Sequence, residues 1–316
     1  MANLQTTTIN GSLHLGNSPV TSDAGYVWYN TSLNKVQYSA VQYSTGTWST
    51  GGNLSVARHE LGGAGTQNAG LAFGGSTILA CTEEYNGSSW ATGGAMARAV
   101  RNTGTGTGQQ NAALQYGGFS PVGAYTCTQE YNGSSWSFGG AFPVTADDAA
   151  SAGQQNAAVG FGFRNILCTF EYNGSSWTCT GNFPDAREGM GATGEQNSAI
   201  GTGGFPYSTS CKTWIYDGSS WSEGACMPSP KYQHGMSGNV TAAVSFGGGG
   251  FPAQCSTFEY NGSTWSTGGN LSLGRGYPSS TGDSGAGLAA GGSTPSSVSC
   301  TEEYNQTCSI GVKTIG

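Results

Sequence analysis

The chain has 316 residues and a formal net charge of −7, with only 10 Lys and Arg. So few basic residues exclude a nucleic-acid binder, which needs a cationic stripe to displace counterions from phosphates. No apolar run approaches the ~18 residues of a membrane span, and residues 1–8 lack the basic and apolar regions of a secretory signal. The expectation is a protein made in the cytoplasm that neither crosses nor binds a membrane. Gly accounts for 55 residues and charged residues for 9%, a bias shared with disordered chains, yet 11% of residues are aromatic. Disordered chains lack aromatics; here they recur in phase with the glycines, which predicts a turn-rich all-β fold.

In chain order, Thr6-Thr7-Thr8-Ile9-Asn10-Gly11-Ser12-Leu13-His14-Leu15 alternates as an exposed strand would. Residues 25–38 read as a hairpin turning at Ser32-Leu33-Asn34. An orphan strand follows, around Tyr43 and Trp48. From there the chain repeats itself: Tyr85/Trp90, Tyr131/Trp136, Tyr172/Trp177, Tyr216/Trp221 and Tyr260/Trp265, with a last copy at Tyr304 that lacks its Trp. Successive tyrosines lie 41 to 46 residues apart, a period that marks a β-propeller with one repeat per blade.

Each unit predicts four strands. In the first, Gln67-Asn68 is a turn, Ala69-Gly70-Leu71-Ala72-Phe73 an apolar strand ending at Gly74-Gly75, and Cys81-Thr82-Glu83-Glu84-Tyr85 a third strand. Asn86-Gly87 predicts a type I′ hairpin, and the strand around Trp90 returns. Six innermost strands give six blades. The incomplete last unit is best completed by the N-terminal strand near Trp48, which would close the ring; the rival arrangement uses residues 307–315. The domain reading is an N-terminal anchoring arm over 1–35 and a propeller over 36–316.

An apolar strand ending in Gly-Gly, then a Tyr, then a Trp resembles the kelch repeat over residues 43–305. The third unit departs from it, with Gly162-Phe163 in place of the doublet. Residues 26–38, with Trp28-Tyr29-Asn30-Thr31 and Asn34-Lys35, resemble hairpins of tailed-bacteriophage fibre and other virion proteins. That resemblance implies a phage virion protein, a tail fibre or capsid decoration. In it residues 1–35 hold other virion proteins, through Ile9, Leu13, Leu15, Tyr26 and Trp28, and the propeller is displayed, as a homo-oligomer on the particle, for host attachment. Alternatives are a purely structural virion decoration and a cytoplasmic kelch scaffold for a protein partner.

Comparing the repeats with one another sorts the loops. The Gln-Asn and Asn-Gly turns are nearly constant and emerge on one face; the other two connections vary and emerge on the opposite face. Variable loops on a rigid frame are where binding residues concentrate. The candidate ligand residues are therefore Arg101, Arg164, Tyr125, Tyr207, Tyr232, Tyr277, Asp147 and Asp148, with a host-surface glycan or protein receptor as partner. Arg58, Arg187, Lys231 and Arg275 share one repeat phase, so a structural role competes there.

Chemistry is expected to be absent. Three histidines, His14, His59 and His234, are too few and too scattered for the copper site of galactose-oxidase-like propellers. The repeated Glu84, Glu130, Glu171, Glu259 and Glu303 imply a structural role, such as accepting a backbone hydrogen bond, not a converging catalytic pair. No enzyme, metal or cofactor is expected. Cys81, Cys127, Cys168, Cys211, Cys255 and Cys300 read as small buried hydrophobes at one repeat position, because facing sheets ~10 Å apart hold such positions beyond disulfide reach. Cys179, Cys226 and Cys308 fall out of phase, free or paired.

Overall fold

The computed structural model describes residues 13–15, 27–30, 32–101, 106–120, 123–206, 211–249 and 253–315. Among these the regular elements are β-strands, and the chain divides into two compact units: residues 46–305, and residues 1–45 with 306–316.

The larger unit holds six four-stranded antiparallel sheets. Sheet I comprises Gly62–Thr66, Ala69–Phe73, Thr82–Tyr85 and Trp90–Thr92; sheet II, Gly106–Gln109, Ala112–Tyr116, Thr128–Tyr131 and Trp136–Phe138. Sheet III comprises Ala150–Gln154, Ala157–Phe161, Cys168–Tyr172 and Trp177–Asn182; sheet IV, Glu188–Glu195, Ser198–Phe205, Thr213–Tyr216 and Trp221–Glu223. Sheet V comprises Gly235–Asn239, Ala242–Phe246, Thr257–Tyr260 and Trp265–Thr267. Sheet VI takes Ser279–Gly282, Ala286–Ala290 and Thr301–Asn305 from one end of the array and its fourth strand, Thr47–Thr50, from the other. The first strands pack in succession from sheet I to sheet VI, and that of sheet VI packs on that of sheet I.

Burial follows this order. Second strands are buried on both faces, as at Leu71, Ala72 and Phe73, because neighbouring sheets cover both sides. Fourth strands are exposed beyond their Trp. Repeated side chains join each sheet to the one before it. Every fourth-strand indole donates to a threonine of the preceding sheet: Trp48 to Thr257, Trp90 to Thr301, Trp136 to Thr82, Trp177 to Thr128, Trp221 to Thr169 and Trp265 to Thr213, at 2.8–3.0 Å. Gln67, Gln110, Gln155 and Gln196 reach back in the same way, each donating to two backbone carbonyls of the preceding sheet. The second glycine of each doublet links forward instead, as where Gly75 N donates to Val100 O and Gly292 N to Arg58 O.

The repeated glutamates accept tyrosine hydroxyls from the next sheet, not backbone amides as their principal contact. Tyr85 donates to Glu303, Tyr131 to Glu84, Tyr172 to Glu130 and Tyr216 to Glu171, at 2.5–2.7 Å, and Tyr304 donates to Glu259. Tyr260 has no such partner, because Ile215 stands where the other sheets carry Glu.

The Asn-Gly turn also differs from expectation. Tyr85 pairs with Trp90, so the loop has four residues, and only Gly87 has a positive φ, 86°. A two-residue turn is unnecessary because the Asn86 side chain caps the loop itself, accepting from Ser88 N at 3.0 Å and Ser89 N at 2.9 Å.

Among the cysteines, Cys168 and Cys179 form a disulfide. The others are half-buried or exposed, so the reading of six buried hydrophobes is overturned. The constant residue is the buried threonine; Cys211 and Cys255 precede theirs, Thr213 and Thr257, by two residues instead of one. In a strand that offset turns a side chain to the opposite face.

The smaller unit is a four-stranded sheet in the order Leu13–Leu15, Val27–Asn30, Lys35–Tyr43, Cys308–Thr314, with the first pair parallel. The hairpin at 32–34 is capped by Asn30 Oδ1, which accepts from Ser32 N and Leu33 N at 3.0 Å. The boundary between units thus lies at 45/46, not 35/36: residues 35–43 pair with the C-terminal strand, which does not enter sheet VI. Of the anchoring residues, Ile9 and Tyr26 lie outside the described residues, and Leu13 and Leu15 are described as backbone only. Trp28 is 2% exposed, which leaves it no surface for a neighbouring subunit.

Candidate ligand-binding site

Four in-phase cations are structural. Arg58, Arg187, Lys231 and Arg275 are fully buried and donate to carbonyls of their own sheets, as where Arg58 Nη1 reaches Gly74 O and Cys81 O at 2.9 Å. The residue facing each has adapted. Arg58 pairs with Glu83 and Arg275 with Glu302, Lys231 Nζ sits 4.8 Å from the Phe258 ring centre, and Arg187 pairs with Asp185.

Two residues beyond this column, on the variable-loop face, the backbone does something unusual. Glu60, Asp148, Gly189, Gln233 and Tyr277 all have left-handed φ values, from 50° to 64°. Each non-glycine residue held so costs about 1–3 kcal/mol. The conformation is fixed by hydrogen bonds running from sheet to sheet: Gly189 N to Asp148 O at 2.8 Å, Gln233 N to Gly189 O at 2.6 Å, Tyr277 N to Gln233 O at 2.8 Å and Glu60 N to Tyr277 O at 3.2 Å. One repeat position therefore presents four different side chains and one glycine around one mouth.

A cavity of 50 Å³ lies among Glu60, Asp148, Gln233, His234 and Tyr277. It shares Leu61, Met190, His234 and Pro278 with a larger cavity of 210 Å³ between the first strands. Burial, then the nearby carboxylates of Glu60, Asp147 and Glu188, pushes the Asp148 carboxyl up to about 6. Burial likewise raises the Tyr277 hydroxyl, helped by Asp148 and Glu60. His234 is buried, its Nε2 is 2.9 Å from Thr202 Oγ1, and its Nδ1 has no hydrogen-bond partner among the described residues. Burial and Lys231 hold it well below the usual histidine value, hence neutral.

Of the residues expected to bind ligand, Asp147, Asp148, Tyr232 and Tyr277 gather at this mouth. Arg164 borders it, 71% exposed, with two contacts of 2.6 Å to Glu188, and Arg101 reaches Glu60 at 3.5 Å. Tyr125 does not belong to it: its ring lies under Arg98, 4.4 Å away. Tyr207 lies outside the described residues. Glu60, Gln233 and His234 were missed, although their place shortly after an in-phase Arg or Lys was a signal. Among the described residues no group of three or more His, Cys, Asp or Glu converges to hold a metal ion.

Six four-stranded sheets with first strands packed in succession define a β-propeller fold. Among solved structures, that of YjhT is similar, with a TM-score of 0.65 and 14% identity over 83% of this chain and 99% of that one. At that identity the likeness is one of fold. No family model matches the chain, and no curated protein matches it.

Proposed function

We propose that this chain is a non-enzymatic phage virion protein, a tail fibre or capsid-associated subunit. Its displayed head is a six-bladed kelch-like propeller closed by Thr47–Thr50, and it attaches to host-surface glycans at the mouth on the variable-loop face. The observation that carries the reading is the row of left-handed residues: the repeated polar side chains clamp sheet to sheet, whereas Glu60, Asp148, Gln233 and Tyr277 differ at one strained position beside a cavity. Carboxylates that accept, with a Tyr hydroxyl and a Gln amide that donate, suit the vicinal hydroxyls of a sugar. The Cys168–Cys179 disulfide agrees with a working life outside the reducing cytoplasm. The sheet of the smaller unit would hold other virion proteins and further copies of the chain.

A purely structural decoration draws support from the two arginines, Arg101 and Arg164, whose charges already meet carboxylates. Mass spectrometry of purified particles tests the virion reading, and absence of the chain from clean particles overturns it. A glycan array tests adhesion: binding by the wild type that is lost in Tyr277→Ala and Gln233→Ala supports the mouth, while binding unchanged in both removes it.

A further inference from the structure

In every sheet of the larger unit one backbone hydrogen bond ties the chain just after the fourth strand to the chain just before the third. The donors are the amides of Leu54, Met96, Phe142, Phe183, Met227 and Leu271; the acceptors are the carbonyls of Ser299, Ala80, Thr126, Leu167, Cys211 and Cys255. The residue before each donor is thereby brought beside the acceptor residue. These pairs are Asn53/Ser299, Ala95/Ala80, Ala141/Thr126, Asn182/Leu167, Cys226/Cys211 and Asn270/Cys255. Only sheet IV carries cysteine at both positions. There the two sulfur atoms are 2.6 Å apart, closer than non-bonded sulfurs rest. The offset that takes Cys211 one residue out of the cysteine phase turns its side chain toward Cys226, and away from the face used by Cys81, Cys127 and Cys300.

We infer that Cys211 and Cys226 are a disulfide-forming pair, a second covalent staple that joins the ends of the two outer strands of sheet IV. Its neighbour, sheet III, already carries one between its own outer strands, Cys168–Cys179. The two thiols lose two protons and two electrons to form the S–S bond. The oxidant is a small-molecule disulfide such as glutathione disulfide, which is reduced to two thiols by exchange through a mixed disulfide. Cys226 is exposed and Cys211 half-buried, so such an oxidant reaches the pair from solvent: one thiolate attacks a sulfur of the oxidant, releasing one glutathione thiol, and the other thiolate then attacks the mixed disulfide and releases the second. Of the remaining cysteines, Cys255 is the counterpart of Cys211 but faces Asn270, so sheet V cannot form this staple.

The test is thiol counting on the folded full-length chain, incubated with glutathione disulfide, alkylated without reduction, digested and analysed by mass spectrometry. The expected result is a cross-linked peptide pair containing Cys211 and Cys226, with alkylated cysteines falling from the seven left free by Cys168–Cys179 to five. Alkylation of both residues in the oxidised protein, or either one linked to a different cysteine, overturns the inference. In Cys226→Ser, Cys211 should be found alkylated or carrying glutathione, with no protein cross-link, while the Cys168–Cys179 peptide persists. If Cys211 in that variant is cross-linked to another cysteine of the chain, instead of free or carrying glutathione, its partner is elsewhere and the inference is again overturned.

Discussion

Trp48 lies directly across from Tyr304, with ring centroids 5.0 Å apart. The five within-repeat pairs, from Tyr85/Trp90 to Tyr260/Trp265, stand at 4.9–5.1 Å. The tyrosine that lacks a Trp in its own repeat thus receives one from the far end of the array, in equivalent geometry. Trp48 also covers Phe246, at 4.8 Å, and donates to Thr257.

Truncation reads the weight of that contact. Residues 46–305 form one compact unit and should fold as a fragment. Residues 51–305 lack the fourth strand of sheet VI, which leaves an apolar face and an open edge. The shorter fragment should melt at markedly lower temperature or aggregate, as followed by circular dichroism and size-exclusion chromatography; equal melting of the two would mean that Thr47–Thr50 is dispensable.

Thr82→Val keeps the shape of the side chain but removes the acceptor for Trp136 Nε1, within a buried contact. Leaving that donor unpaired should cost about 1–3 kcal/mol. In a double-mutant cycle with Trp136→Phe the two losses should be less than additive, since one bond is removed twice. Denaturant titration measures both.

Ile215→Glu should supply the missing partner for Tyr260. Burial alone raises the Tyr260 hydroxyl in the wild type, whereas Tyr85, Tyr131 and Tyr172, which also meet a glutamate, are pushed up to about 12. Spectrophotometric titration should show one additional tyrosine moving to that range. No change in the titration curve would mean that the introduced carboxylate turns to solvent.

Alkali should unfold the protein through the same tyrosines. Burial, reinforced at each by a glutamate, pushes Tyr85, Tyr131, Tyr172 and Tyr216 up to about 12, against ~10 in an unfolded chain. Between those values the folded state binds more protons than the unfolded one, so stability falls as pH rises. Their contribution is complete below pH ~10 and lost through pH ~12. Thermal melts across that window should drop steadily, and a flat profile would contradict the buried tyrosine–glutamate pairing.

Asp148→Asn should stabilise the protein at neutral pH. With its carboxyl raised to about 6, the folded state holds a proton that the unfolded chain has released, so stability falls between pH ~4 and 6 and stays reduced above. The neutral amide removes that burden, on the order of 3 kcal/mol, and Asn accepts a φ near 50°. The gain should be present at pH 7.5 and fade towards pH 4. A gain independent of pH would point to packing instead of charge.

The sequence by itself determined the all-β class, the repeat, the turn residues and the split between constant and variable loops. These follow from local rules: strand periodicity, the glycine that a left-handed loop residue requires, and aromatic spacing within a single hairpin. Which partners the repeated side chains take was decided only by the tertiary structure, because Trp136 with Thr82 and Tyr131 with Glu84 are contacts between different repeats. No spacing within one repeat encodes which neighbour it meets. For the last repeat the sequence favoured the strand near Trp48 over residues 307–315, but the pairings themselves, Thr47–Thr50 in sheet VI and residues 308–314 in the separate sheet, join chain segments distant in sequence and are read only from the tertiary structure. The mouth was half legible. Asp148 and Tyr277 stood out as variable-loop residues, but the hydrogen-bonded row that brings them to Glu60 and Gln233 exists only once the sheets pack side by side, and their burial and mutual repulsion arise from that packing.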